Sequence, residues 1–152
     1  MITPKLLVIG AIIIGILVFL LVQPSSKTSS HQEMKVGDTT IRVTVMRTPE
    51  ELAQGLSGKE KLEEDEGMFF ILPTTQIPTF WMKDMNFAID MIWIKDTIVV
   101  GVTENVPPPG KDANLTDLPR YSPTDSANRV LEVNAGFSQK HNIKKGSIIQ
   151  IQ

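Results

Sequence analysis

Lys83 and Asp90 are the residues of this chain whose types and spacing come nearest to chemistry. Asp90 interrupts the apolar run from Phe87 to Lys95, and a lone carboxylate there would lose its hydration with nothing in return. It needs a partner. The Lys83 ammonium is one candidate, and a cluster of backbone N–H groups is the other. A turn over Asp84, Met85 and Asn86 would fold the lysine stem back toward the strand that carries Asp90. Three uses follow from such a pair. The favoured one is a buried polar contact that pins strand register. The second is a cleft in which Lys83 draws a small anion or carboxylate beside the Trp81 ring, which makes Trp81, Lys83 and Asp90 the candidate ligand-binding set. The third, acid–base catalysis by the two groups, ranks last.

Other constellations are thinner. The chain has no cysteine, which removes disulfides, zinc–thiolate sites and thiol catalysis together. Its two histidines are His31, in a polar N-terminal stretch, and His141, beside Asn142 at an expected helix end. A serine triad would rest on His141 alone, and a multi-histidine metal site is excluded by number. The run Glu63-Glu64-Asp65-Glu66 lacks the spaced oxygen ligands and glycine of calcium loops and reads as a solvated turn. No phosphate-binding or dinucleotide fingerprint is present. The expectation is no catalytic residue, no metal and no cofactor. Fifteen Lys and Arg stand against 17 Asp and Glu, with no basic run, so nucleic acid is an unsuited partner.

The elements that must position these residues begin after an apolar N-terminus. Residues 6–22, LLVIGAIIIGILVFLLV, carry no polar side chain and as a helix would be about 25 Å long, near the lower limit for crossing a bilayer core. No small-x-small cleavage pattern follows, and Pro24 lies at the junction, so the segment reads as an uncleaved anchor rather than a signal peptide. Lys5 before the helix places the N-terminus in the cytoplasm. The expected organisation is a transmembrane anchor over 1–23, a flexible linker over 24–37 and a β-rich domain over 38–152.

Within that domain, Thr40 to Arg47 alternates apolar and polar residues as a half-buried strand does. Thr48-Pro49-Glu50-Glu51 is a capping box with proline at the first helical position, and Gly55 closes a two-turn helix. Gly67 to Leu72, Phe87 to Lys95, Thr97 to Val106, Arg129 to Val133 and Ser147 to Ile151 read as further strands. The Phe87 strand is apolar on both faces and is expected to be central. Ala135 to Asn142 suggests a second short helix. Residues 107–126 hold five prolines and the only tyrosine, Tyr121. They form either a stiff surface crossing, the favoured reading, or a lid over a pocket. The fold class expected is α+β, mostly β: a small barrel-like or rolled sheet with two short helices, preceded by the transmembrane helix.

Several of these stretches also resemble a known family. Gly55-Leu56-Ser57-Gly58-Lys59, Gly67-Met68-Phe69-Phe70, Phe80-Trp81-Met82-Lys83 and Ile89-Asp90-Met91-Ile92-Trp93-Ile94 are similar, in unbroken order, to motifs of the domain of unknown function 192 family, DUF192. So are Val130-Leu131-Glu132-Val133-Asn134-Ala135-Gly136 and Asn142-Ile143-Lys144-Lys145-Gly146-Ser147. The resemblance runs from about Thr40 to Ile151. It implies a compact β-rich fold, exported or membrane-tethered, with no established activity. The chain departs from the pattern at Lys59, where the family usually has Arg, at Phe87-Ala88, and at Ser147.

Taken together, the sequence points to a membrane-tethered domain at the cell envelope, single-pass, with its C-terminal domain outside the cytoplasm. Its expected role is that of a non-catalytic binding or accessory module, contacting the membrane through residues 6–22 and a small anionic or envelope ligand through the domain. The alternatives are an unrecognised envelope enzyme using Lys83 and Asp90, or a structural partner of another membrane protein.

Overall fold

A computed structural model describes residues 31–151. The expected anchor over 1–23 lies outside the described residues. Among the described residues, no helix is long and apolar enough to cross a membrane.

Seven strands form one sheet: β1 (His31–Val36), β2 (Thr39–Met46), β3 (Glu66–Gln76), β4 (Ile89–Lys95), β5 (Ile98–Val106), β6 (Ala127–Asn134) and β7 (Ile149–Ile151). Their order across the sheet is β5-β4-β6-β3-β2-β1-β7. All pairings are antiparallel except β2 with β3. That parallel pair is joined through helix α1 (Pro49–Gln54), because a parallel step needs a crossover rather than a hairpin. The sheet curls into a half-barrel. Its two ends meet where Val99 and Ile149 donate backbone N–H groups to Ser147 and Thr97, both at 2.9 Å. A second helix, α2 (Phe137–Lys140), covers one end of the barrel.

Local sequence accounts for these elements. The Thr48 hydroxyl accepts from Glu51 N while Glu51 Oε2 accepts from Thr48 N, so the capping box forms as its residues predict. β4 is fully buried up to Ile94, as a central strand apolar on both faces should be, and it pairs with β5 and β6. β1 is the departure: it occupies the end of the stretch expected as linker over 24–37, with Met34 and Val36 fully buried.

Strand alternation divides the core in two. Phe69, Ile92, Ile94, Leu131 and Val133 pack inside the curl with Met34, Ile41 and Phe137. Met68, Phe70, Met91, Trp93 and Val130 point the other way, where Leu56, Met82, Met85 and the edge of α1 cover them. Fully burying each large side chain of these sets is worth about 1.5–3 kcal/mol.

Residues 107–126 cross the surface, with one 3-10 turn at Leu115–Asp117. The segment is stitched to residues 79–81. Phe80 and Tyr121 exchange backbone hydrogen bonds of 2.9 Å, and the Thr79 and Ser122 hydroxyls lie 3.1 Å apart.

Candidate functional site

The three residues singled out by sequence do not converge. Asp90 is fully buried, and its partners are backbone groups. Oδ1 accepts from Asn105 N at 2.8 Å and Gly136 N at 3.2 Å, and Oδ2 accepts from Ser138 N at 2.8 Å. The carboxylate thus ties the end of β5 and the start of α2 to β4, a structural task. By alternation it faces the inside of the curl, opposite to Ile89 and Met91. Lys83 instead places its ammonium 3.6 Å from Asp84, with 40% of its side chain exposed. Its backbone carbonyl accepts from the Ser57 hydroxyl at 2.8 Å, and Asn86 donates to Lys59 O at 2.9 Å. The Gly55–Lys59 loop is therefore bound to the segment after Trp81 by backbone acceptors, so the Lys59 side chain plays no part in that junction.

Trp81 does line a cleft. On the outer sheet face an open depression of about 290 Å³ runs between α1 and residues 76–81, walled by Leu52, Leu72, Pro78, Phe80 and Trp81. It shares Leu52, Ala53, Phe80 and Trp81 with a narrow inner cavity of about 40 Å³. The inner walls are Leu56, Phe70 and Met85, and Glu132 lies there. The wall is firmly built. The Phe70 and Phe80 rings meet edge-to-face at 5.3 Å, and Phe80 meets Trp93 in the same way at 5.6 Å. Arg120, from the proline-rich crossing, sets its guanidinium 4.0 Å from the centre of the Trp81 ring. Gly55 turns the chain off α1 at φ 49, and a Cβ there would approach Phe70 to 3.3 Å.

Glu132 is the residue that sequence reasoning missed. It sits in β6 between Met91 of β4 and Met68 of β3, its register partners, and is only 5% exposed. Its carboxyl makes no hydrogen bond or ion pair with a described residue. Burial alone pushes its pKa up to about 8, so at neutral pH the group is mainly protonated. A signal was present. Glu132 interrupts the apolar run Val130 to Val133 as Asp90 interrupts β4, yet the two carboxyls meet different fates. Asp90 has three backbone donors, and Glu132 has a cavity.

A wider groove of about 360 Å³ lies between β5 and residues 122–125. Its charged lining groups, Lys145 and Asp125, pair with each other at 2.6 Å.

Comparison with known proteins agrees with this picture of the fold. The DUF192 family, described as an uncharacterised ACR, matches residues 31–151, and the chain belongs to that family. No curated protein matches the sequence. A crystal structure from Sinorhizobium meliloti 1021, described as a "putative transcription regulator", is similar with a TM-score of 0.74 at 20% identity, covering 84% of this chain and 98% of that one. At that identity the likeness carries the fold alone. A crystal structure of a protein of unknown function from Novosphingobium aromaticivorans DSM 12444 is similar with a TM-score of 0.71 at 27% identity, covering 85% of this chain and 90% of that one.

Proposed function

We propose that this DUF192 domain is a non-catalytic ligand-binding module of the cell envelope, tethered through residues 6–22 and held outside the cytoplasm. The observation that carries the binding role is the cleft. A buried carboxyl without a hydrogen-bond partner stands at its inner end, and Trp81 forms part of its wall. The cleft is concave and brings Gln54, Ser57, Gln76 and Thr79 together with its apolar residues, and small-molecule pockets likewise combine apolar walls with convergent polar groups.

Catalysis by Lys83 and Asp90 lacks a comparable basis, since Asp90 is occupied by backbone donors and Lys83 by Asp84. One observation favours the reading as a structural partner. Ile98 and Ile148, bridge partners at the junction of β5 and β7, are 51% and 55% exposed side by side.

The test of the binding reading is a fluorescence and thermal-shift screen of the protein with envelope sugars, peptides, carboxylates and amines, repeated on Trp81→Phe. Binding that raises the melting temperature and changes Trp81 emission supports the reading. A screen in which no probe perturbs Trp81 or the melting temperature refutes it. Tethering is tested separately. The full chain should stay in the pellet after carbonate washing, with a C-terminal tag accessible from outside intact cells. Release of a soluble form beginning near Ser25 would refute the anchor.

A further inference from the structure

The chemistry of the cleft restricts what it can hold. Its inner cavity, about 40 Å³, admits a compact head group and no ring. The outer depression, about 290 Å³, sets Leu52, Leu72, Pro78 and Phe80 beside Gln76 and Thr79, so an unbranched apolar stem can lie along its apolar side. Among the described residues no cationic side chain lines either part, and the cation next to the cleft is Arg120, stacked on Trp81. An anionic head group would meet Glu132 with no counter-charge in the wall. A cation would meet a carboxyl that pairs with no described residue, together with the Phe70 and Phe80 rings, while the Trp81 ring already carries Arg120 on one face.

We propose that the cleft takes a primary alkylammonium group, its nitrogen against the Glu132 carboxylate and its methylene stem along Leu52, Phe80 and Trp81. This rests on the binding reading above and names the ligand class. A lysine side chain and a free alkylamine share this chemistry, being a small, strongly hydrated charge on a flexible apolar stem. A quaternary ammonium is too bulky a head for the inner cavity.

Ionisation agrees with the geometry. Burial is the sole cause that raises Glu132 to about 8, so near neutrality its anionic form lies within reach, and an arriving ammonium removes the reason for the shift. Binding therefore expels a proton. The surrounding titratable groups are otherwise engaged or turned away. Glu66 on β3 pairs with Arg42, Lys83 pairs with Asp84, and Asp90 takes backbone donors on the opposite face of β4. Arg129 on β6 donates to Asp96 O, Arg120 stacks on the Trp81 ring, Glu51 caps α1, and Glu50, Lys59 and Lys95 are exposed. Glu132 is the titratable residue that lines the cavity itself.

The experiment is calorimetry on the full chain in dodecyl maltoside micelles, with n-butylammonium, Nα-acetyl-lysine amide and the neutral isostere 1-butanol, from pH 6 to pH 8. We expect n-butylammonium to bind at least tenfold more tightly than 1-butanol. Its affinity should rise up to tenfold per pH unit and level off near pH 8, with close to one proton released per amine at the low end. Glu132→Gln, which keeps the side-chain shape, should lose at least tenfold in amine affinity while its Trp93 emission stays native. Binding of acetyl-lysine amide as well as n-butylammonium identifies a lysine side chain as a permitted source, and exclusion of the former confines the class to free amines. Equal binding of 1-butanol, or affinity that is flat or improves as pH falls, overturns the ammonium assignment and leaves the binding reading standing. Failure of every probe, including those of the wider screen, overturns both.

Discussion

Replacing Glu132 by glutamine should make the protein more stable, and increasingly so as pH rises. In the folded protein the carboxyl is lifted from 4.5 to about 8 by burial alone. Between those values the folded state holds a proton that the unfolded state has released, so stability falls as pH rises through that window and levels off above it. Each unit of pKa difference corresponds to about 1.4 kcal/mol, which makes the whole effect about 5 kcal/mol. Glutamine fills the same space and cannot ionise. The difference in unfolding free energy between Glu132→Gln and the parent should therefore be small near pH 4.5. It should grow by about 1.4 kcal/mol per pH unit toward pH 8. Urea unfolding at pH 5, 6, 7 and 8 measures it, followed by the emission of Trp93, which is 1% exposed. Contributions from Asp65 and the other carboxylates are common to both proteins and cancel. A difference that stays constant over this range would refute the reasoning, because the carboxyl would then ionise as freely in the fold as outside it.

Other outcomes follow from the same geometry. Asp90→Asn should destabilise the domain by about 1–3 kcal/mol, measured by urea unfolding, because three backbone donors lose a charged acceptor and one meets an amide N–H instead. Ser138→Ala should be neutral or slightly stabilising in the same assay, since the buried Ser138 hydroxyl has no hydrogen-bond partner to lose. Gly55→Ala should cost about 1–2 kcal/mol of stability, since it places a Cβ at positive φ and presses it toward Phe70. A fragment over 31–152 should unfold cooperatively, whereas one starting at Asp38 should be markedly weaker, because it lacks β1 and with it the link between β2 and β7.

Much of this fold is legible in the residues, and the gaps have physical reasons. β4 announces itself because a strand covered on both sides must be apolar at every position, with one polar residue that needs a partner. α1 announces itself through reciprocal capping, which is local chemistry. β1 does not, because its outer face carries Gln32, Glu33 and Lys35, and only Met34 and Val36 mark its buried side. β3 runs past Pro73 to Gln76, a stop by any local rule. The strand continues there because its register with β6 shifts between Ile71 and Gln76, where a proline is tolerated. The parallel pairing of β2 with β3 and the closure of the curl depend on contacts far apart in sequence and have no local signature. At the site, Trp81 stands in the wall of the cleft. Lys83 and Asp90 were linked by proximity along the chain, but alternation sets Asp90 on the other face of the sheet. Glu132 carried the same signal as Asp90, a carboxylate inside an apolar run, and only the structure shows that it lacks the donors Asp90 has.

The most direct test of the account is a carboxyl ¹³C NMR titration of Glu132, assigned by its loss in Glu132→Gln, with and without n-butylammonium. The account predicts a midpoint near 8 in the free protein, moving down toward the ordinary glutamate range when the amine is bound. A midpoint near 4.5 without the amine, unmoved by its addition, would contradict it.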